Sequence, residues 1–131
     1  WAVSWAQAKK DLPGLGTTHA DNFYQEVPCT RPLSDSEIED NYELNTGKVI
    51  VEEFQDRDYQ YTPGVLVAGH GPFTWGDHAQ DAVHNCVVLE EIAKMAYRTL
   101  QINPSISPIS DKLMDKHFLR KHGEDAYYGQ K

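Results

Sequence analysis

The longest periodic stretch of the sequence is a stripe of apolar residues between positions 82 and 100. Its members recur at intervals of three and four: Ala82, Cys86, Leu89, Ala93, Ala96 and Leu100. This spacing predicts one face of an amphipathic helix packed on a sheet or on another helix. The helix is predicted to begin at Asp77 as N-cap, with Gln80 three residues on, and to end near Asn103-Pro104.

A continuous apolar run, Val65 to Ala68, follows a turn predicted at Thr62-Pro63-Gly64 and is typical of a buried strand. The run ends at His70, which is flanked by Gly69 and Gly71. Because glycine frees the backbone on both sides, the imidazole can be aimed into a cleft, and neutral imidazole is a common metal ligand. The alternative is a core histidine bonded to a backbone carbonyl, and one histidine alone does not make a metal site.

Three further helices are predicted from different signals. The chain opens on helical apolar spacing at Trp1, Trp5 and Ala8, Ser34–Glu37 has the spacing of a capping box, and Asp111 to His122 is a polar helix with Gly123 as its C′ residue. Residues 46–54 fit both a strand and a helix, with helix slightly favoured.

Two segments are predicted to be non-helical. Leu15 to Asp21 is expected to be a short extended piece, and Glu26 to Pro32 an edge strand or loop, because its two prolines cannot donate to a ladder. Helices that alternate with short strands predict an α/β or α+β fold.

Charge limits the possible partners. The 131 residues make one ordinary domain, with a net charge of −8 and a pI of about 5.1. This charge disfavours nucleic acid and anionic membranes as partners. The one basic cluster (Lys112, Lys116, Arg120 and Lys121) predicts a local anion site or a solvated helix face.

The two cysteines, Cys29 and Cys86, lack CxxC spacing and predict a reduced, cytoplasmic protein. No apolar run approaches the roughly 18 residues of a membrane helix. The chain does not start with Met and opens on an apolar helical pattern without an N-cap, so we expect it to be part of a longer protein.

Several polar residues are candidates for chemistry. Asp21 ends the string Thr17-Thr18-His19-Ala20-Asp21 and is either a general acid or base or a plain turn aspartate. Tyr128 can exchange a proton with an oxyanion if a neighbour lowers its pKa from roughly 10, or it is a surface anchor. Glu43 and His117 are either site residues or helix-surface residues. The motifs GxGxxG, GxxxxGK[ST] and HExxH do not occur, which disfavours nicotinamide or nucleotide chemistry.

Taken together, several segments resemble the sugar-phosphate 4-epimerases of the class II aldolase family, and the resemblance spans nearly the whole chain in the right order. The segments are LGTTHAD at 15–21, VPCTR at 27–31, YELNTGKVI at 42–50, HGPF at 70–73, DAVHN at 81–85, KHFLRKHG at 116–123 and AYYGQ at 126–130. The YELNTGKVI and YYGQK segments are closest to the branch linked to L-ascorbate catabolism.

The resemblance implies an α/β class II aldolase-like fold, with a central, mainly antiparallel sheet flanked by helices. Residues 1–131 would be the C-terminal part of one such domain. The missing N-terminal half would hold the phosphate loops, a metal-site acid and two histidine ligands in an HTH motif that ends just before Trp1. His70 would be the third ligand of Zn²⁺ or another divalent cation such as Mn²⁺, although its upstream neighbours differ from the family pattern.

The resemblance also implies interconversion of L-ribulose 5-phosphate and D-xylulose 5-phosphate. A retro-aldol cleavage of C3–C4 would give an enediolate and glycolaldehyde phosphate, and the aldehyde would rotate before re-addition. Asp21 and Tyr128 match the two proton carriers, while Thr17, Glu43 and His117 match supporting positions. The family builds its sites between the subunits of a homotetramer, so Asp21 and Tyr128 need not share a site within one chain.

Two alternatives stay open. Within the family, the protein could be an aldolase that releases its products, although the THAD and YYGQ segments favour an epimerase. From a different class, the chain on its own could be a non-catalytic folding or assembly module that lacks two metal ligands and the phosphate loops.

Overall fold

The computed structural model describes residues 1–129, so Gln130 and Lys131 at the end of the YYGQK segment lie outside the described residues. Six helices and two strands follow one another along this part of the chain. They are α1 (Ala2–Ala8), α2 (Thr17–Ala20), α3 (Asp35–Glu39), α4 (Tyr42–Glu53), β1 (Gly64–Val67), β2 (Gly71–Thr74), α5 (Ala79–Ile102) and α6 (Asp111–His122).

The two strands form an antiparallel hairpin in which Val65 pairs with Phe73 and Val67 with Gly71. All four residues of β1 are buried, which confirms the strand predicted from the apolar run. The segment containing Cys29 lies beside β1 through a single parallel bridge to Leu66. Its prolines keep it from forming a longer ladder, as expected for an edge segment.

The core lies where α1, α5 and the hairpin meet. Its buried apolar members are Ala2, Ala6, Leu12, Phe23, Val27, Leu66, Leu89, Ile92, Ala93 and Ala96. Small alanines on α1 and α5 let these helices approach the sheet and each other closely. The hairpin turn is fixed to α1 because the Gly69 N–H donates to the Ala6 carbonyl at 2.9 Å.

Helix α5 covers the predicted stripe, with two corrections. Its N-cap is His78 rather than Asp77, because the Asp81 carboxylate accepts from the His78 N–H at 3.0 Å and closes the first turn there. Leu89, Ala93 and Ala96 are buried as predicted, whereas Cys86 is exposed because the N-terminal third of α5 extends beyond the core. The helix ends at the predicted position, with Asn103 as C-cap.

Helix α6 matches its predicted bounds and is capped by the Ser110 hydroxyl. Gly123 follows it with φ −74°, so this glycine is needed for space and not for a left-handed backbone. A Cβ at this position would lie 2.7 Å from the Leu119 carbonyl oxygen. The buried Phe118 packs against Tyr24 and Tyr61 and fixes α6 to the rest of the fold.

Other local predictions have mixed outcomes. The capping box at Ser34 and the helix favoured for residues 46–54 are confirmed by α3 and α4. The extended piece predicted for Leu15–Asp21 is wrong, because residues 17–20 close one helical turn in which the Asp21 N–H donates to the Thr17 carbonyl at 2.8 Å. In α1 the buried face is Ala2 and Ala6, offset by one residue from the predicted face.

Among residues 1–129, none of the helices combines the length and apolar character that a membrane span requires. Even α5, with 24 residues, carries charged side chains along its exposed face.

Candidate functional site

The side chain of Asp21 lies at the junction of α2 and α6 and is surrounded by basic groups from α6. Its Oδ1 lies 3.0 Å from His117 Nδ1 and accepts from an Arg120 terminal nitrogen at 3.2 Å. Lys121 Nζ lies 3.5 Å from Oδ2. The Asp21 side chain is only 21% exposed, so these groups replace most of its water. One helix therefore supplies the charge partners of one carboxylate.

These contacts keep Asp21 ionised. Burial alone would raise the pKa of this carboxyl, but the hydrogen bonds from His117 and Arg120 and the charge of Lys121 outweigh it. The net pKa is lowered from its ordinary value of 3.8. At neutral pH the group is therefore a carboxylate.

His117 can pair with Asp21 or with Arg120, but not with both in one tautomer. Its Nδ1 lies 3.0 Å from Asp21 Oδ1 and also 3.0 Å from an Arg120 terminal nitrogen. A protonated Nδ1 donates to the carboxylate, whereas an unprotonated Nδ1 accepts from the guanidinium. The proton on this ring nitrogen thus selects whether His117 pairs with Asp21 or with Arg120.

The junction is also held by contacts that do not involve the carboxylate. The ring of His122 lies with its Nε2 2.9 Å from the Asp21 backbone carbonyl and stacks on Phe118 with 4.6 Å between centroids. Tyr24 donates to the Asp115 carboxylate at 2.7 Å, which raises the pKa of the phenol to about 12. These contacts fix the position of α6 relative to α2 and the segment that follows it.

The tail after α6 folds back onto the same helix. The N–H groups of Tyr127 and Tyr128 both donate to the Arg120 carbonyl at 2.9 Å. The Arg120 guanidinium lies 4.2 Å from the centre of the Tyr128 ring, and Lys116 Nζ donates to the Tyr127 hydroxyl at 2.9 Å. Tyr128 and Asp21 therefore contact the same arginine within one chain.

The predicted supporting residues are only partly gathered at this junction. His117 is in direct contact with Asp21, and Thr17 lies one helical turn before it and offers its backbone carbonyl. Glu43 lies on the exposed first turn of α4 and, in the described part of the chain, takes no part in the hydrogen bonds of Asp21.

His70 lies in the turn between β1 and β2, apart from the junction. Gly69 takes the left-handed conformation, with φ +75°, that this three-residue turn requires. The His70 ring is exposed and stacks on Phe73 with 5.4 Å between centroids. Within residues 1–129, no three His, Cys, Asp or Glu side chains are grouped closely enough to hold a metal ion.

Arg120 and Lys121 lie at the junction, although the sequence places them only in a basic cluster. That cluster divides in the structure: Lys112 is exposed, while Arg120 and Lys121 are mostly covered and pair with Asp21. The solvated-face interpretation is therefore wrong for these two residues. The signal was present in the spacing, because positions 117, 120 and 121 share one face of a helix.

A comparison with known families agrees with the motifs. The protein-family model described as "Class II Aldolase and Adducin N-terminal domain" matches residues 1–97. Relatives in Salmonella paratyphi C (strain RKS4594) and Salmonella typhi, both named L-ribulose-5-phosphate 4-epimerase UlaF, are 58% identical over 130 residues. The match covers 99% of this chain and 57% of each relative, so the chain spans little more than half of their length.

A solved structure gives the same fold. The L-fuculose 1-phosphate aldolase superimposes with a TM-score of 0.66 over 91% of this chain and 50% of its own. At 16% sequence identity this likeness concerns the fold alone. It confirms the predicted class II aldolase-like fold, and the family resemblance inferred from the motifs is confirmed as well. The chain belongs to the class II aldolase and adducin N-terminal domain family.

Proposed function

We propose that this chain supplies the acid–base residues of an L-ribulose-5-phosphate 4-epimerase. The observation that carries the proposal is the Asp21 carboxylate, mostly covered and paired with His117, Arg120 and Lys121, with Tyr128 on the other side of the same arginine. The names and 58% identity of the relatives support the substrate pair, L-ribulose 5-phosphate and D-xylulose 5-phosphate.

The chemistry of this interconversion explains why two proton carriers are needed. C4 of the ketose has no acidic hydrogen, so its configuration is inverted by breaking and re-forming the C3–C4 bond. A base takes the proton of the C4 hydroxyl, the C4–O bond becomes a carbonyl, and the electron pair of C3–C4 stays on the C1–C3 fragment. After the aldehyde turns over, the electron pair attacks its other face and the new C4 oxygen takes a proton from an acid.

Asp21 fits the first role and Tyr128 the second, with the roles exchanged in the reverse direction. The carboxylate is ionised at neutral pH, and His117 Nδ1 lies 3.0 Å from its Oδ1. Tyr128 is half exposed, so its hydroxyl is accessible to a substrate oxygen. Thr17 is proposed to fix the turn that carries Asp21, and Glu43 to act from a surface outside this junction.

A divalent cation, Zn²⁺ or Mn²⁺, is proposed at His70. The residues present fit such an ion only in part: the imidazole is exposed and stacks on Phe73, and residues 1–129 hold no group of three potential ligands, so further ligands from other segments are proposed. When bound, the cation would supply Lewis-acid stabilisation of the negative charge that develops on the ketose oxygens. We further propose a homotetramer with sites between subunits and a cytoplasmic location, the latter supported by the free thiols of Cys29 and Cys86.

The test uses the full polypeptide encoded by the gene that contains this sequence. We expect it to interconvert the two pentulose phosphates and to bind about one divalent ion per subunit. Tyr128→Phe should lower turnover by about 10²–10⁴-fold while the metal content stays unchanged. Tyr59→Phe removes a hydroxyl from another exposed tyrosine and should leave turnover unchanged.

Three outcomes would revise the proposal. Release of glycolaldehyde phosphate without re-addition would assign an aldolase. Loss of metal in Tyr128→Phe would give this tyrosine a structural role. The 131-residue chain alone is expected to bind metal poorly and to be inactive, so strong activity of the isolated chain would show that it needs no further ligands.

A further inference from the structure

We propose that Arg120 is the positioning residue that sets Asp21 and Tyr128 in their relative places, an inference that rests on the proposed function. Its terminal nitrogen donates to Asp21 Oδ1 at 3.2 Å, and its guanidinium carbon lies over the Tyr128 ring, 4.2 Å from the ring centre. One planar group therefore contacts both proton carriers.

The backbone of Arg120 reinforces this placement. Its carbonyl accepts the N–H groups of both Tyr127 and Tyr128 at 2.9 Å, which turns the tail back over the last turn of α6. The backbone fixes where the tail crosses the helix, and the guanidinium fixes the plane of the Tyr128 ring. A cation over an aromatic face is attractive in just this geometry.

The site requires an arginine because of the shape of the group. A guanidinium can donate in its plane to a carboxylate while its face stacks on a ring, whereas an ammonium is a compact charge without a face. The neighbouring Lys121 shows the difference: its Nζ lies 3.5 Å from Asp21 Oδ2 but 5.9 Å from the Tyr128 ring centre. Lys121 contributes charge to the carboxylate without orienting the phenol.

The packing around Arg120 also leaves one of its donors unused. Among the described residues, the Arg120 Nε is buried and has no hydrogen-bond partner. A buried donor without a partner destabilises the folded state. The side chain is therefore held by the contacts at the far end of the guanidinium, to Asp21, His117 and the Tyr128 ring.

The experiment compares Arg120→Met and Arg120→Lys in the full polypeptide. Misplacement of the carriers should lower kcat by about 10²-fold in Arg120→Met, with KM for the pentulose phosphate nearly unchanged. Arg120→Lys should restore the acid limb of the pH profile, because the charge beside Asp21 returns, but not kcat, because the ring contact does not. Guanidinium added to Arg120→Met should raise kcat.

Arg98→Met is the matched control, since this arginine is exposed on α5 away from the junction, and it should leave kcat unchanged. A second readout is the NMR signal of the Tyr128 ring in protein labelled at tyrosine, which should shift in both Arg120 variants and not in Arg98→Met. Wild-type kcat in Arg120→Lys, or an unshifted Tyr128 ring in Arg120→Met, would overturn the inference. If the wild type has no epimerase activity, the proposed function fails, and the NMR comparison still decides whether Arg120 positions Tyr128.

Discussion

Two polar regions of this molecule, the α2–α6 junction and the β1–β2 turn, differ in how far their residues are paired. At the α2–α6 junction the Asp21 carboxylate has a hydrogen bond or an ion pair to each of three side chains from α6. At the β1–β2 turn the His70 imidazole is exposed and its ring contact is to Phe73. The junction gathers three charge partners around one carboxylate within the chain, whereas the turn presents one exposed imidazole.

The difference follows from how each region is built. Helix α6 places residues at intervals of three and four on one face, so a single element can surround a carboxylate. A two-stranded hairpin turn exposes one side chain at its tip and needs other segments to complete a site. The two proposed proton carriers therefore both contact Arg120 within the chain, whereas among residues 1–129 no group of three potential ligands supports the proposed metal centre at His70.

Asp21→Asn is expected to have the largest effect on kcat. It tests whether the junction takes part in the proposed catalysis or only stabilises the fold. The amide keeps the shape but cannot accept a proton, so kcat in the full polypeptide should fall by about 10²–10⁴-fold. Metal content should stay unchanged because His70 is not altered.

Asp56→Asn makes the same chemical change at an exposed aspartate and should have no effect on kcat. A variant Asp21→Asn that unfolds under the assay conditions, or that loses kcat only in proportion to lost folded protein, would make the junction structural. Denaturation curves recorded for both variants separate these outcomes.

His70→Asn tests the other side of the comparison. Removing a ligand should weaken metal binding by more than the 10–100-fold that loss of a residue behind the ligands typically costs, about 10²-fold or more. Metal per subunit after dialysis against a weak chelator measures this directly. His84→Asn, at an exposed histidine on α5, should retain the metal. Full metal content in His70→Asn would remove His70 from the proposed centre.

The parts of the fold that sequence predicted well are those with a local signal. The capping box at Ser34, the apolar run of β1 and the end of α5 before Pro104 each depend on neighbouring residues only. The errors occur where tertiary contacts decide. Residues 17–20 form a helical turn although Thr17 and Thr18 do not favour helix, because His19 and Ala20 are buried there.

The site shows the same limit. The motifs select Asp21, His117 and Tyr128 as candidates, and helix spacing places Arg120 on the face of His117, but no pattern in the sequence shows that Arg120 also contacts Asp21 and Tyr128. That contact depends on the angle at which α6 meets α2 and on the return of the tail, which are set by packing around Phe118 and by backbone hydrogen bonds. Helix α6 appears polar throughout in the sequence, and its charged residues become covered only because other segments pack against it.

The smallest predicted effect concerns His19, which holds the turn that carries Asp21. Its ring nitrogen Nε2 lies within hydrogen-bonding distance of the Gln25 carbonyl, and burial lowers the pKa of the imidazole from 6.5 to about 4. Above pH 6.5 the ring is neutral in both states and its contribution is constant. Between pH 6.5 and 4 the unfolded chain binds a proton that the folded chain does not, so stability falls as the pH is lowered.

From pH 7 to pH 5 this difference should lower the free energy of unfolding by about 2 kcal/mol, measured by urea denaturation. In His19→Gln the free energy of unfolding should depend less on pH, because the amide can donate to the Gln25 carbonyl but does not titrate. His84→Gln, at an exposed histidine, should keep the wild-type slope. An unchanged slope in His19→Gln would mean that the junction does not depend on a neutral imidazole beneath it, and that Asp21 is held in place by α6 alone.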